Sequence, residues 1–540
     1  MLIQSEVCNW KLLNLNLTNT IIRGERKMKF KKIASLVLAL IIMSAVLVGC
    51  GGNNSAVDTT TESTAAKTTT VASTTAETEE RQPVELLWYV GGPGPQADTP
   101  RVLEEISKYL KDKINASLKI VETDFGSYKQ KMQMVIASQE KFDLCFTSHW
   151  SNNFYNNVSK NAFLELDELI ANFAPELKAA VPQGGWDAAK VKGKVYAVPN
   201  MQIWAMTNGL VAAKEHVDKY NFDIGTVKSL KDLEPLLAAI KKDNPKMYPL
   251  AISTRGALDY CTFSIGYDEL AGRHIPGVVM LDDKELKVIN QFELPQVMEH
   301  YKLMYDWNKK GYFRPDAATV NDAKPDIRAG KHVVEFLGTV KPGEEVTLKT
   351  AFGNKDVVII PISESWLPTS GITATMTAIS RTSENPDRAM EFINLVNTDR
   401  KLYNLIVMGI EDKHYEKIDE NYIRPIADSG YSPNSDWMYG NQFNAYLKEG
   451  QDKNVWAETD ALNNSAKPSV AIGFAFDPTN IQNEIASVNA VVKEYELSLD
   501  TGSVDPEKTL PEFLKKLEQA GSNTIIAEIQ KQLNEWKTNK

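Results

Sequence analysis

Beyond residue 84, two periods of apolar and polar positions alternate along the chain. Short apolar runs with strand character are followed by stretches in which apolar residues recur every three or four positions, as on one face of a helix. The first five of these stretches are VELLWYV, TPRVLEEISKYLKDKI, ASLKIVET, YKQKMQMVIAS and KFDLCFTS. This βαβαβ order predicts a parallel sheet in an α/β fold, and loops at the carboxyl ends of its strands are the expected place for a ligand.

Helical periodicity continues through the rest of the chain, for example in SLKDLEPLLAAIKK, LPQVMEHYKLMYDWNKKG and PDRAMEFINLVNTDRKLYNLIVMG. Near the end, LPEFLKKLEQAG and NTIIAEIQKQLNEWKTN predict a pair of helices on either side of Gly521. In the last helix Ile526, Ile529, Leu533 and Trp536 share one face, which predicts that this helix packs against the body. No repeat with a period of about 20 to 50 residues is visible, which argues against a solenoid or a propeller.

Upstream of residue 84 the pattern changes to one uncharged apolar run, residues 33–49, which lysines between residues 27 and 32 precede. A single membrane-spanning helix would fit this run, at the lower limit of length. The run ends in LVGC, however, which resembles the bacterial lipobox, and its basic flank, apolar core and polar exit follow the order of a lipoprotein signal. We therefore predict that residues 1–49 are upstream sequence plus a signal peptide, that Met28 is the natural initiator and that Cys50 carries lipid.

Residues 51–83 are rich in Thr and Ser and carry almost no large apolar side chain. Such a segment cannot offset the entropy lost on ordering, so residues 50–83 are predicted to be a lipidated cysteine followed by a disordered tether. Two or three acyl chains suffice for stable anchoring. The expected location is therefore the outer face of the cytoplasmic membrane, in a Gram-positive bacterium.

The composition is that of a soluble globular protein, with 43% hydrophobic and 24% charged residues. The net charge of −10 argues against a nucleic-acid partner, because such proteins need a basic surface to displace counterions from the phosphates. The cysteines form no CxxC pair, so no disulfide framework is implied. Their positions are Cys8, Cys50, Cys145 and Cys261.

No pattern in the sequence points to catalysis or to a cofactor. The six histidines are scattered without a metal-ligand spacing, and neither a P-loop nor GxSxG occurs. GGPGP at residues 91–95 does not fit GxGxxG, and its prolines lack the amide donors that a phosphate needs. We predict no metal, no cofactor and no enzymatic activity. A secreted glycosidase stays open as an alternative, since acidic residues could supply a pair of catalytic carboxylates.

Aromatic residues in polar surroundings are the most distinctive candidates for a binding role. They are Tyr89 just before a glycine pair, Trp150 in TSHWSNN, Trp204 after VPNMQ and Trp366 in SESWLPTSG. Each of them could equally be a core or rim residue. A flat ring with amides and hydroxyls nearby, however, is what stacks on the apolar face of a sugar while its neighbours bond the hydroxyls. The set therefore favours a saccharide ligand.

Three phrases resemble the extracellular solute-binding proteins of ABC importers, a group that includes many sugar-binding lipoproteins. They are GKVYAVPN (193–200), WNKKGYFRPDA (307–317) and AISRTSENPDRAMEFINLVNTD (378–399). The tail, in LYNLIVMGIEDKHYEKI, GFAFDPTNIQNEIASVNAVVKEYE and LEQAGSNTIIAEIQKQLNEW, is similar to the C-terminal domain of unknown function (DUF3502) of LipO-type lipoproteins. The chain departs from that pattern in GIEDKHY, where a glycine is expected after the glutamate.

This resemblance implies a two-lobe α/β fold of the periplasmic-binding-protein type, with the ligand in a cleft between the lobes and a helical C-terminal extension. Lobe 1 is expected at residues 84–202 and 370–430, and lobe 2 at residues 203–369 and 431–540. Hinge strands are expected near Pro199–Trp204 and Trp366–Ile372. Closure around such a hinge selects a ligand because the closed form gains contacts from both lobes.

The resemblance also implies a function: a monomeric, membrane-anchored protein binds a saccharide, expected to be an oligosaccharide, and delivers it to an ABC permease. Two alternatives stay open, namely a sensor or scaffold lipoprotein with a membrane signalling partner, and a protein that binds a peptide or another solute, because fold does not fix function. The residues expected to line the cleft are Tyr89, Gly91, Ser148, Trp150, Trp204, Asn208, Tyr260 and Trp366.

Overall fold

The first segment of the chain alternates strands and helices as its periodicity predicts, in a computed structural model that describes residues 81–539. Its elements are β1 (Val84–Gly92), α1 (Thr99–Ile114), β2 (Ala116–Asp124), α2 (Phe125–Ala137), β3 (Leu144–Thr147), α3 (Phe154–Ser159), α4 (Asp167–Phe173), α5 (Pro175–Ala180), α6 (Gln183–Ala188), β4 (Lys190–Val191), β5 (Lys194–Val195) and β6 (Val198–Pro199). The predicted lipid site Cys50, the apolar run before it and most of the predicted tether lie outside the described residues.

The second segment begins with a buried strand and contains the remaining large sheet. Its elements are β7 (Gly209–Ala213), α7 (Lys214–Lys219), α8 (Glu234–Asp243), β8 (Leu250–Ala251), α9 (Thr262–Ile265), β9 (Tyr267–Glu269), β10 (Val278–Met280), α10 (Pro295–Lys309), α11 (Lys324–Arg328), β11 (Val334–Leu337), α12 (Glu344–Ala351) and β12 (Val357–Pro361).

The third segment returns to the first sheet and then ends in long helices. Its elements are β13 (Trp366–Leu367), α13 (Thr369–Ile372), β14 (Met376–Ile379), α14 (Pro386–Thr398), α15 (Arg400–Val407), β15 (Tyr415–Lys417), β16 (Tyr422–Pro425), β17 (Leu447–Lys448), α16 (Val455–Ser465), β18 (Lys467–Pro468), α17 (Gln482–Asp500), α18 (Pro506–Ala520) and α19 (Ser522–Asn539). Between residues 81 and 539, none of these helices has the length and apolar character that crossing a membrane requires.

Lobe 1 is built on a five-stranded sheet in the order β2-β1-β3-β14-β6. β1 pairs in parallel with β2 and β3, so the carboxyl ends of these three strands meet at one edge. β14 returns antiparallel beside β3. Helix α1 covers the sheet with one apolar face, on which Val102, Ile106 and Leu110 are buried at a spacing of four residues. The βαβαβ prediction is confirmed.

Lobe 2 is built on a four-stranded sheet in the order β12-β7-β11-β8, and all five residues of β7 at its centre are buried. Helix α10 divides its buried residues between two cores. Met304 and Trp307 pack in the core of this sheet, whereas Val297 and Tyr301 pack in a second core with the C-terminal helices. We call this second cluster the C-terminal core. The helical C-terminal part therefore packs against α10 of lobe 2.

The C-terminal core is closed by the last two helices, which Gly521 separates in a left-handed conformation (φ 104°). In α19 the buried residues are Ile525, Ile529 and Leu533, with Ile526 and Trp536 partly buried beside them. The predicted apolar face is thus confirmed, although its centre lies one position earlier than expected at Ile525.

Three chain crossings connect the lobes. In the first two, Met206 and Trp366 exchange backbone hydrogen bonds of 2.7 and 2.9 Å. The third crossing is β18, which pairs in parallel with β13 so that Trp366 lies opposite Lys467. The first two crossings lie close to the hinges that the sequence predicts, and the third was not predicted.

The expected boundary between the lobes at residue 430 moves toward the C-terminus. Met438, Tyr439 and Ala445 lie in the core of lobe 1, although residues 431–540 were expected in lobe 2. The ring of Tyr439 meets that of Trp88 edge to face, with centroids 5.3 Å apart. The segment packs there because these apolar side chains complete the core beneath β1, a tertiary effect that local periodicity does not encode.

Candidate functional site

Four aromatic rings cluster at the carboxyl edge of the lobe 1 sheet. Phe125 follows β2 directly, Phe146 lies in β3, Trp150 lies in the loop after β3, and Trp437 comes from the segment between β16 and β17. Ring centroids are 5.9 Å apart for Phe125 and Trp150, 5.8 Å for Phe146 and Trp150, and 6.4 Å for Trp150 and Trp437. We call these four residues the aromatic platform.

Trp150 is the most exposed member of the platform, with 45% of its surface accessible. Its indole Nε1 donates to the backbone oxygen of Ala374 at 2.8 Å, so the polar edge of the ring is already satisfied. An exposed ring that is packed against further rings forms part of a contiguous apolar patch, which makes this surface a candidate for binding. What Trp150 offers to a ligand is therefore its flat apolar face.

The loop that carries Trp150 is braced by the small polar residues around it. Ser148 Oγ donates to the backbone oxygen of Ser151 at 2.9 Å, and Thr147 Oγ1 donates to that of Asn152 at 2.6 Å. Asn152 adopts φ 46° and its Nδ2 donates to the backbone oxygen of Phe146 at 2.8 Å. The Ser and Asn residues of TSHWSNN therefore shape the loop, and Ser148 is completely buried rather than facing a ligand.

Gly91 lies beneath the platform at the end of β1. A Cβ atom at this position would come within 2.8 Å of the ring carbons of Phe125 and 3.4 Å from Tyr128. The absence of a side chain lets Phe125 lie directly on the backbone of β1. Gly91 thus supports a ring of the aromatic platform.

Lobe 2 presents a second aromatic pair. Tyr260 stacks on Phe336, with centroids 5.3 Å apart and an interplanar angle of 23°. The guanidinium of Arg255 lies 4.2 Å from the centroid of the Tyr260 ring, a cation–π contact. Asp259 holds both Arg255, at 2.6 Å, and Arg273 in ion pairs. This pair of rings, which we call the Tyr260–Phe336 wall, therefore carries a guanidinium over the face of Tyr260.

The loop that carries Trp150 also contains a partly buried histidine. His149, next to Trp150, is held by a bond from its backbone nitrogen to the oxygen of Thr373 at 3.1 Å. Burial, with a smaller contribution from the positive charge of Arg273, lowers the pKa of the His149 ring to about 4. His149 is therefore neutral near pH 7.

Four residues expected in the cleft have other partners. Tyr89 is buried with its hydroxyl on Glu140 at 2.6 Å, and burial raises its pKa to about 12. Trp204 is 5% exposed in the lobe 1 core and donates to the oxygen of Asn200 at 2.9 Å. Its bulk occupies the space above Gly185. Trp204 was expected as a ligand-stacking ring, but it fills the core because the chain crosses there between lobes.

Asn208 and Trp366 also serve the framework. Asn208 is buried and its Oδ1 accepts from the backbone nitrogens of Phe263 at 2.7 Å and Ser264 at 2.9 Å, which caps α9. Trp366 is partly buried at the paired crossings, with Lys467 Nζ 5.7 Å from its ring centroid. Of the residues expected to line the cleft, the structure brings Trp150 to an exposed aromatic surface, Gly91 beneath that surface, and Tyr260 to a partly buried aromatic pair.

Phe125 and Trp437 were not singled out from the sequence. Trp437 lies in YSPNSDWMYG, a polar loop with an aromatic at its centre, so the pattern that selected Trp150 applies to it as well. Phe125 follows a strand in TDFGS without any such context. Within residues 81–539, no group of three or more His, Cys, Asp or Glu side chains is placed to hold a metal ion.

Comparison with known proteins links this architecture to transport. A "Carbohydrate ABC transporter substrate-binding protein" of Streptococcus pneumoniae serotype 4 is 30% identical over 471 residues, which cover 85% of this chain and 92% of the relative. Residues 470–538 match a family described as a domain of unknown function, DUF3502. The C-terminal resemblance noted from the sequence is thereby confirmed.

Solved structures agree with this result. The N-glycan transport solute binding protein NgtS from Streptococcus pneumoniae is 29% identical with a TM-score of 0.76, covering 85% of this chain and 100% of that one. Its complex with Man5GlcNAc is 30% identical with a TM-score of 0.71, covering 85% and 99%. An extracellular solute-binding protein from Bifidobacterium longum subsp. infantis, 15% identical with a TM-score of 0.60, shares the fold over 85% of this chain and 99% of its own. The chain belongs to the carbohydrate ABC transporter substrate-binding proteins.

Proposed function

We propose that this protein binds an oligosaccharide between the aromatic platform and the Tyr260–Phe336 wall and delivers it to an ABC permease. The observation that carries the proposal is Trp150, which is exposed, held by a hydrogen bond at its polar edge and surrounded by three further rings. Such a surface matches the apolar faces of sugar rings. NgtS, whose solved complexes contain Man1GlcNAc and Man5GlcNAc, supports an oligosaccharide as the ligand class.

Binding is coupled to lobe closure in this proposal. A sugar that stacks on Trp150 and also contacts Tyr260 bridges both lobes, so it interacts more strongly with the closed form than with the open one. Only such a difference in contacts can shift the equilibrium between two conformations. Backbone hydrogen bonds join the crossings at Met206, Trp366 and Lys467, which lets the lobes rotate about a small paired region.

The family supports a binding rather than a catalytic role. We further propose that the protein is a monomer, that Cys50 carries lipid, and that the binding lobes lie outside the cell at the outer face of the cytoplasmic membrane. The lipobox-like LVGC and the Thr-rich segment after it support this part of the proposal. Mass spectrometry of the mature N-terminus tests it directly, because an uncut chain or an unmodified Cys50 contradicts lipid anchoring.

Isothermal titration calorimetry against a panel of oligosaccharides, monosaccharides and peptides tests the ligand class. We expect saturable binding of at least one oligosaccharide together with an increase in the unfolding temperature, because a ligand that binds only the folded state stabilises it. Binding to a peptide or an amino acid, with no response to any glycan, would contradict the proposal. A variant that lacks the Trp150 ring should bind the same oligosaccharide more weakly if the ligand lies on the platform.

A further inference from the structure

A cavity of about 350 Å³ lies in lobe 2 beside the Tyr260 wall. Its volume falls within the range of about 300 to 1,000 Å³ that is usual for small-molecule sites. Arg255 lines it from the loop after β8, and Arg273 and His274 line it from the turn between β9 and β10. On the opposite side, Glu496 and Asp500 come from α17. The residues that line the cavity therefore come from segments that are far apart in the sequence.

Helix α17 belongs to residues 470–538, the part of the chain that matches a domain of unknown function. Its apolar side is fixed in the C-terminal core by Val488, Val492 and Leu499. This packing turns Glu496 and Asp500 toward the loops of lobe 2. The segment of unknown function thus contributes lining residues to one side of the cavity as well as a docked helical layer.

The two acidic residues on this side of the cavity are held by specific partners. Glu496 Oε1 lies 2.7 Å from Nδ1 of His274, and Asp500 Oδ1 lies 2.9 Å from Nε2 of His300. Asp500 also accepts from the backbone nitrogen of Leu258 at 2.8 Å. Carboxylates fixed in this way are preorganised acceptors, which do not have to be ordered again when a ligand arrives.

Three carboxylates and two guanidinium groups surround the cavity, so negative charge is in excess there. Arg255 and Arg273 supply positive charge, but both already contact Asp259, and Glu496 and Asp500 face them from α17. Cationic donors on one side and carboxylate acceptors on the other suit a group that both donates and accepts, which is the chemistry of a sugar hydroxyl. An anionic sugar would meet two carboxylates at close range, so its binding would be disfavoured.

The cavity also adjoins one of the surfaces of the proposed function. Arg255 lines it and at the same time lies over the ring of Tyr260. A chain of sugar residues that stacks at this aromatic surface could therefore extend into the cavity without leaving the protein. Because the cavity adjoins the Tyr260 ring, its expected occupant is one end of the same oligosaccharide.

We propose that the C-terminal segment 470–538 lines one side of a further subsite, which takes a neutral, hydroxyl-rich sugar residue at one end of the oligosaccharide. This inference rests on the proposed function, since it assigns a place to part of the same ligand. It gives the segment of unknown function a direct role in selecting glycan length and charge.

The test compares two cavity variants with matched controls by calorimetry on the folded full-length protein. Thr254→Trp fills the cavity from an exposed position on its rim, and Glu496→Gln removes an acceptor charge while it keeps a partner for His274. Thr350→Trp, at an exposed threonine of α12 outside the cavity, and Glu494→Gln, at an exposed position of α17, are the controls. The ligands are neutral mannose-containing glycans of increasing length, each with and without a terminal acidic sugar.

We expect Thr254→Trp to weaken binding of the longest neutral glycans at least tenfold and binding of the shortest bound glycan less than twofold. Glu496→Gln is expected to weaken the binding of the same long glycans several-fold. It should also reduce the ratio of the affinity for a neutral glycan to the affinity for its acidic counterpart. Both controls should bind as the wild type does. If Thr254→Trp fails to fold, the comparison of Glu496→Gln with Glu494→Gln decides the question.

The outcomes separate the inference from the function on which it rests. Wild-type protein that binds glycans, with cavity variants that bind the whole panel equally well, overturns the subsite and leaves the proposed function intact. A preference of the wild type for the acidic glycan of a pair also overturns it. Wild-type protein that binds no glycan at all overturns both.

Discussion

Phe125 and Trp437 stack nearly face to face, with ring centroids 5.8 Å apart and an interplanar angle of 18°. Phe125 begins α2 in the first segment of the chain, whereas Trp437 reaches the platform from the third segment. Trp437 is brought there by Met438 and Tyr439, its neighbours in sequence, which are buried in the lobe 1 core. The platform is therefore assembled only when the third segment has packed on the first.

Removal of the Trp150 ring is expected to weaken oligosaccharide binding with little effect on folding. The ring is 45% exposed, so Trp150→Ala removes ligand-stacking surface rather than core packing. We expect the dissociation constant to rise about 10- to 100-fold, which corresponds to ~1.4 to 2.7 kcal/mol of binding free energy. Calorimetry measures the affinity, and thermal unfolding of the free protein should change little.

Met134→Ala is the matched control for Trp150→Ala. Met134 is exposed to 57% in the same lobe but takes no part in the platform, so its loss should leave both affinity and stability nearly unchanged. Equal affinities of Trp150→Ala and wild type for every bound glycan would show that the platform does not carry the ligand.

Gly91→Ala is expected to disturb the platform from below. The added methyl group would lie 2.8 Å from ring atoms of Phe125, so the ring must shift and its stacking on Trp437 is altered. Overpacking of this kind destabilises by about 1 to 3 kcal/mol. Urea unfolding should show this loss, and calorimetry should show an affinity several-fold weaker than that of the wild type.

Gly184→Ala provides the comparison for Gly91→Ala. A Cβ at Gly184 has no neighbouring atom within 4 Å, and the residue lies in α6, where alanine is the better helix former. We expect unchanged or slightly higher stability and unchanged affinity. If Gly91→Ala has the same stability and affinity as Gly184→Ala, the position of the Phe125 ring does not require a glycine at residue 91.

Local patterns predicted the elements of the fold well. The prediction of β1 to β3 rests on the periodicity of apolar side chains within each element. It also rests on the rule that the connection from a strand through a helix to a parallel strand is right-handed. These are properties of short stretches, so VELLWYV and the helix at Thr99–Ile114 could be recognised without any knowledge of the rest. The family resemblance then supplied the two lobes and the docked C-terminal helices.

The site was predicted less completely because its residues are chosen by tertiary packing. Trp204 and Trp150 have the same sequence signature, an aromatic among polar residues, but Trp204 lies where the chain crosses between lobes and its ring is enclosed. Asn208 has an amide that could bond a sugar hydroxyl, but in the structure this amide caps a helix. Trp437 was missed because its position depends on which lobe residues 431–445 join.

Asn208→Ala is expected to lower stability and to leave the affinity unchanged. The substitution removes the acceptor for the backbone nitrogens of Phe263 and Ser264 in a buried place, and unpaired buried donors destabilise by about 1 to 3 kcal/mol. Urea unfolding checks the stability, and calorimetry under native conditions should give an affinity within twofold of the wild type.

Asn464→Ala tests whether the effect at Asn208 is specific. Asn464 is an exposed asparagine of α16 whose Nδ2 donates to Asp460 at 3.0 Å, so its loss should change the unfolding free energy by no more than about 0.5 kcal/mol. A large fall in affinity with unchanged stability in Asn208→Ala would instead assign Asn208 to the ligand.

Glu269→Gln is expected to gain stability relative to the wild type as the pH rises. Burial raises the pKa of Glu269 from 4.5 to about 7, with His274 opposing the shift and Glu496 and Asp268 adding to it. Between about pH 4.5 and 7 the folded state retains a proton that the unfolded state releases, so ionisation destabilises the wild type with rising pH. The glutamine cannot ionise, so the unfolding free energy of the variant relative to that of the wild type should rise by up to about 3 kcal/mol from pH 4.5 to 8.

Urea unfolding across this range measures the difference in unfolding free energy, which should not change with pH for Glu494→Gln. A difference that is constant or falls for Glu269→Gln contradicts a raised pKa at this position.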